Sequence, residues 1–243
     1  NDISKIESTD IEPIFIFGIP RSGTTLVETI ITSGEEKIYN AGENFILQKA
    51  LHKSQLDKKI RESEDTITLD INFLRKDIIE SYKKQLSIQS KKFRLIDRTM
   101  TNFFFAEILL EIFPNAKIIN CKRDSFHNLV AIYQQCLNNL PWSHKIKDIK
   151  KYISIYNYKL SNLEKNHSKN ILNVELKKLT EFPKDISKEI MSFCKLKWSE
   201  KVLKYYQRKD LICTTASNIQ IREKIFKYDS GKFLPYKDYF DNF

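Results

Sequence analysis

The sequence predicts an α/β protein: a three-layer sandwich with a central parallel sheet and helical insertions. Three observations lead there. A continuous apolar run at residues 14–17 and short, mainly apolar segments at 93–96, 116–121 and 171–176 suit strands of a buried parallel sheet. Between them, apolar residues recur at three- and four-residue spacing, as helices require. The first and third runs each exit through a polar turn directly into a helical pattern, the strand–turn–helix unit of a parallel sheet.

Residues 1–13 form a polar lead-in, and Gly18, Pro20 and Gly23 break the first strand before a helix carrying Leu26, Val27, Ile30 and Ile31. Lysine-rich helical patterns at residues 41–56 and 69–88 are read as an insertion near 44–92 in a single domain spanning 1–243. After the second strand, a helix from Asn102 carries Phe103, Phe104 and Phe105, read as core, and stops at Pro114 and Asn115. The third strand leads through Lys122, Arg123, Asp124 and Ser125 into a helix containing Leu129, Val130 and Ile132. A helix at residues 146–163, the last strand, a helix at 186–194 and an aromatic tail complete the chain.

With 243 residues and 41% apolar content, the chain can bury one sizeable core. Its net charge of +10 favours an anionic partner. The lysines are interspersed with acids, as at Lys58-Lys59 and Lys177-Lys178, and form no arginine-rich stripe, which argues against nucleic acid. No run approaches the ~20 apolar residues of a membrane span, and the first residues lack the apolar centre of a secretion signal, so a soluble protein is expected. Cys121, Cys136, Cys194 and Cys213 form no paired motif and lie in apolar runs, which suggests buried, reduced thiols and a cytoplasmic setting. His52, His127, His144 and His167 have no metal-ligand spacing; only His127 lies near a candidate site, and lone histidines are usually structural.

The chemistry concentrates in the GIPRSGTT turn. Gly23 allows close backbone approach, Ser22, Thr24 and Thr25 add hydroxyls, Arg21 adds a charge, and a helix N-terminus stands behind them. Such a turn cradles a phosphate or sulfate and makes the sandwich P-loop-like; the plainer alternative is a tight turn before a capped helix. A nucleoside-triphosphate loop would carry a lysine where Thr24 stands, which weakens a kinase or ATPase reading.

Four segments resemble sulfotransferases that use 3′-phosphoadenosine 5′-phosphosulfate (PAPS): PIFIFGIPRSGTTLVETI from Pro13, NAGEN from Asn40, FPNAKIINCKRD from Phe113, and TASNIQIREKIFKYDSGKF from Thr215. The likeness is to the bacterial branch often fused to tetratricopeptide repeats, with tyrosylprotein sulfotransferases as more distant relatives. The resemblance implies a nucleotide cosubstrate, an unidentified acceptor and no metal. It assigns Arg21, Ser22, Gly23, Thr24 and Thr25 to the 5′-phosphosulfate, and Arg123, with the helix N-terminus behind it, to the 3′-phosphate. Gly231 and Lys232 would return to that phosphate, with Arg222 on the same arm. Glu43 would be the general base and Arg98 would stand where the family places a charge-neutralising lysine. As plainer alternatives, Glu43 would be a helix-end carboxylate and Arg98 would pair with Asp97 or another carboxylate.

The chain departs from that pattern at Ala131, where the family has a serine, and at Leu176, where it often has a tyrosine. A weakened nucleotide clamp follows. Three functions are therefore weighed: sulfuryl transfer to a hydroxyl, nucleotide binding without turnover, and a basic module for polyanions. The acceptor and the oligomeric state are not legible in the sequence.

Overall fold

The computed structural model describes residues 12–35, 38–54, 71–88, 94–208 and 222–241. Among them is a five-stranded, all-parallel sheet in the order β2-β3-β1-β4-β5. The strands are β1 (Ile14–Gly18), β2 (Ile38–Asn40), β3 (Arg94–Asp97), β4 (Lys117–Lys122) and β5 (Ile171–Glu175). β1 sits in the centre, in register with β4 from Ile14 opposite Lys117 to Gly18 opposite Cys121.

Strand periodicity divides the interior into two cores. Phe15 and Phe17 point into one, with α2 (Ile46–Lys53), α3 (Ile71–Ile88), α4 (Ala106–Ile112), α5 (Ser125–Gln135) and α6 (Ile146–His167). Ile14 and Ile16 point into the other, where α1 (Thr24–Gly34) contributes Val27, Ile30 and Ile31, and α8 (Pro183–Phe193) contributes Ile190 and Met191. A β1 residue buried on either face contributes roughly 1.5–3 kcal/mol, which explains an unbroken apolar run in place of alternation.

Several expectations are corrected. β2 was not foreseen: its three residues grade from buried Ile38 to exposed Asn40 at the sheet edge. The helix expected from residue 41 begins at Ile46, because residues 41–45 form a connection in which Gly42 has φ 57° and Phe45 φ 56°. β5 stops at Glu175, and Leu176–Glu181 form a short helix, α7. Residues 100–105 are a 3₁₀ turn ahead of α4, which leaves Phe104 exposed beside buried Phe103. Cys136 is exposed as the left-handed C-cap of α5, whereas Cys121 and Cys194 are buried; Cys213 lies outside the described residues. So do residue 93 of the expected second strand, residues 55–70 and 89–92 of the insertion, and residues 215–221 of the segment from Thr215. α9 (Lys237–Asp241) closes the described chain.

No helix among the described residues is long and apolar enough to cross a membrane, and they hold no cluster of three metal-ligating side chains. From β1 the chain crosses to β2 on one side of the sheet, and from β3 it crosses over β1 to β4 on the other. The carboxyl ends of β3, β1 and β4 therefore border the switch point, where parallel sheets open a crevice.

Candidate active site

The turn after β1 is tightly wound. Arg21 has φ 70° and Gly23 φ 97°, and the Ser22 amide donates to the Ile19 carbonyl at 3.1 Å. Gly23 is the N-cap of α1 with no side-chain cap, and the Val27 amide closes the first helical bond on its carbonyl at 3.1 Å. The head of the helix, with its first-turn amides and dipole, thus opens onto the crevice. A Cβ at Gly23 would meet Leu176 Cδ1 at 2.8 Å, and one at Gly18 would press on Ser22 Oγ and Thr24 Cγ2. Ser22 Oγ is buried and has no hydrogen-bond partner among the described residues.

Arg123, at the exit of β4, ties this loop to the C-terminal segment. Its Nη1 donates to the Arg21 carbonyl at 2.8 Å and its Nε to the Tyr228 hydroxyl at 3.0 Å. Burial, and then the Arg123 charge, lower the Arg21 pKa. The two arginines bring like charges to one corner, which an anion would relieve.

At the exit of β3, backbone bonds lock the connection after β2 in place. The Ala41 amide donates to the Ile96 carbonyl at 2.9 Å, the Arg98 amide to the Gly42 carbonyl at 2.8 Å, and the Asn44 amide to Thr99 Oγ1 at 3.1 Å. Glu43 is thereby held above the strand end, where its Oε1 accepts from Arg98 Nη1 at 3.0 Å. Arg98 Nε also faces Glu28 Oε1 of α1 at 3.1 Å, an ion pair not aligned as a hydrogen bond. Burial raises the Glu28 pKa, with Arg98 opposing. Burial alone would lower the Arg98 pKa, but the two carboxylates outweigh it and hold the guanidinium above its ordinary value. Arg98 accordingly pairs with Glu28 and Glu43; Asp97 instead accepts from the Tyr82 hydroxyl at 2.6 Å and the Thr99 amide at 2.8 Å.

Two cavities meet at the loop. One of about 390 Å³ is lined by Arg21, Leu26, Arg123, Leu176, Tyr228 and Lys232, among others. The other, about 290 Å³, is lined by Arg21, Thr24, Thr25, Glu43, Arg98 and Met100, among others. Arg21 and Gly23 belong to both walls.

Residues 13–200 match the model of the sulfotransferase family. The chain belongs to that family. It is 29% identical over 237 residues to an uncharacterised protein of Aquifex aeolicus (strain VF5), a match covering 93% of this chain but only 31% of the relative's length. The sulfotransferase domain of the Synechococcus PCC 7002 olefin synthase superposes with a TM-score of 0.62 at 18% identity, over 89% of this chain and 85% of that one. Mouse sulfotransferase SULT7A1, solved with PAP, gives 0.56 at 14% identity, over 95% and 82%. At these identities the likeness is one of fold.

Within this sulfotransferase-family chain, Arg21, Gly23, Thr24 and Thr25 come together with Glu43 and Arg98 around the second cavity, and Arg123 and Lys232 line the first. Ser22 lines neither and faces a hollow behind the loop with Asn120, Asn128 and Tyr156. Arg222 and Gly231 line neither cavity, and the Gly231 amide donates to Asp229 Oδ1 at 2.9 Å. The N-terminus of α5, expected to assist Arg123, is capped by the chain's own Asp124, whose Oδ1 accepts from the His127 amide at 2.9 Å. Glu28 and Tyr228 were not foreseen. A lone glutamate among buried Val27, Ile30 and Ile31 was the available signal for the first; nothing local marked the second.

Proposed function

We propose that this chain transfers a sulfuryl group from PAPS to a hydroxyl or similar acceptor by in-line displacement. The observation carrying the reading is the pair of cavities that share the Arg21–Gly23 wall, one for a donor and one for an acceptor. The residues suit the donor: Leu26, Leu176 and Ile225 offer an apolar wall to a base, and Arg21, Arg123 and Lys232 offer cations to phosphates. PAP in the mouse relative has the same chemistry and is carried over here as the donor's product.

PAPS supplies an already activated sulfuryl group, so the protein's part is positioning and charge. Arg21 and the amides at the head of α1 hold the phosphosulfate side. Arg98 fixes the Glu43 carboxylate and adds positive charge beside the second cavity. Glu43, whose side chain is 40% exposed, takes the acceptor proton as its oxygen attacks sulfur.

The test uses the whole chain, radiolabelled PAPS and a panel of phenol, sugar and peptide hydroxyls, beside calorimetry with adenosine 3′,5′-bisphosphate. Label transfer with nucleotide binding is expected; absence of nucleotide binding overturns the reading. Ala131 and Leu176 on the donor wall favour a second reading, a nucleotide binder without turnover, which predicts binding and no transfer to any acceptor.

A further inference from the structure

Ala131 lines the same cavity as Arg123 and Lys232, and its methyl group has no hydrogen bond to give. Tyr228, arriving from the C-terminal segment, lines that cavity too. Its hydroxyl accepts from Arg123 Nε at 3.0 Å and lies 2.9 Å from His127 Nδ1. His127 is held from two sides: its ring stacks on Phe233 with centroids 4.5 Å apart, and its amide is bound by Asp124. The Arg123 guanidinium lies over the Tyr228 and Phe233 rings, 5.4 and 5.0 Å from their centroids. A hydroxyl and a guanidinium thus meet on the donor wall, which also includes the position that lacks a hydroxyl, and the imidazole contacts that hydroxyl of Tyr228. A phenolic oxygen can accept from Arg123 and still turn its proton to a phosphate oxygen.

We propose that Tyr228, positioned by His127, donates its hydroxyl to the 3′-phosphate of the nucleotide and so supplies from the C-terminal segment the contact that Ala131 cannot make. The assignment rests on the donor reading above. Preference for a 3′-phosphorylated nucleotide then depends on a tyrosine remote in sequence from the strand–turn–helix units that form the rest of the pocket.

The experiment is calorimetry on the full chain with adenosine 3′,5′-bisphosphate and adenosine 5′-monophosphate. Tyr228→Phe keeps the ring over Arg123 and removes only the hydroxyl. It should weaken bisphosphate binding about 10- to 100-fold, as for a hydrogen bond to a charged group, and leave the monophosphate unchanged. Ala131→Ser in the Tyr228→Phe background should recover preference for the bisphosphate. His127→Ala should lower that preference, and His127→Asn, whose amide N–H reaches the place of Nδ1 and can donate to the phenolic oxygen, should restore it. Equal loss for both nucleotides, or no loss for the bisphosphate, overturns the role of Tyr228. A wild-type chain with no preference for the bisphosphate overturns the donor reading instead.

Discussion

Arg98 Nη1 and Glu43 Oε1 stand 3.0 Å apart where the connection after β2 crosses the end of β3. The pair gives Glu43 a fixed direction on the wall of the second cavity while 40% of its side chain stays exposed. A carboxylate so held can take a proton from a hydroxyl beside it. Glu43→Gln keeps the shape and removes the base, so turnover should fall about 100-fold or more while affinity for adenosine 3′,5′-bisphosphate is unchanged. Undiminished label transfer by the variant would remove Glu43 from the mechanism.

Glu28 lies on the other side of the same guanidinium, 5% exposed. Burial raises its pKa above the ordinary 4.5. The folded state therefore holds this proton more tightly than the unfolded chain, so the associated stability is present below about pH 4.5 and is lost as pH rises through the folded value. Glu28→Gln does not titrate. Melting temperatures of the two proteins, measured from pH 4 upward, should show wild type losing ground to the variant as pH rises. A gap that moves in wild type's favour would contradict the sign.

How much of this was legible in the sequence follows from where each signal resides. β1 and β4 are buried on both faces, so their composition alone marks them, whereas β2 is three residues at an edge with one buried side chain and leaves no pattern. The loop residues announce themselves because Gly23 must reach φ 97° against Leu176, a requirement of the backbone that few sequences meet. Glu28 and Tyr228 act through tertiary contacts, whereas the Asp124 cap is local to its own helix. Glu28 reaches Arg98 across 70 positions of sequence and Tyr228 reaches Arg123 across 105, and no local period encodes such pairs.

Gly23→Ala tests the loop as a backbone device. An L-residue at φ 97° is strained, and the new methyl would stand 2.8 Å from Leu176 Cδ1. The variant should lose roughly 1–3 kcal/mol of unfolding free energy in urea titrations and bind the bisphosphate more weakly. Full stability would mean that the turn relaxes without cost. Adding Leu176→Ala should recover the steric part and leave the φ strain.

The cysteines should separate by reactivity. Burial pushes the Cys194 thiol up to about 12 and Cys121 higher still, so neither forms the thiolate that alkylation needs. Cys136 caps the exposed end of α5. Iodoacetamide at pH 8, followed by peptide mass mapping, should label Cys136 well before Cys121 and Cys194, which should react only in denaturant. Early labelling of Cys121 would mean that β4 is not packed as described.

Arg123 joins the loop to the C-terminal segment through two hydrogen bonds, at 2.8 and 3.0 Å, and both partners stand on the donor wall. If an anion is what relieves the crowding of Arg123 against Arg21, nucleotide binding should stabilise the fold, and this arginine should carry much of the effect. At adenosine 3′,5′-bisphosphate a hundredfold above the dissociation constant, the wild type should gain about 2.7 kcal/mol of unfolding free energy. Truncating a charged partner of a phosphate costs on the order of 2–5 kcal/mol of binding, so Arg123→Ala at the same concentration should gain about 0.9 kcal/mol or less. Each protein is compared with its own ligand-free melting curve, which separates lost binding from lost stability. A variant that keeps the full nucleotide gain would show that the phosphates are held without Arg123, and the donor pocket would have to be drawn around Arg21 and Lys232 alone.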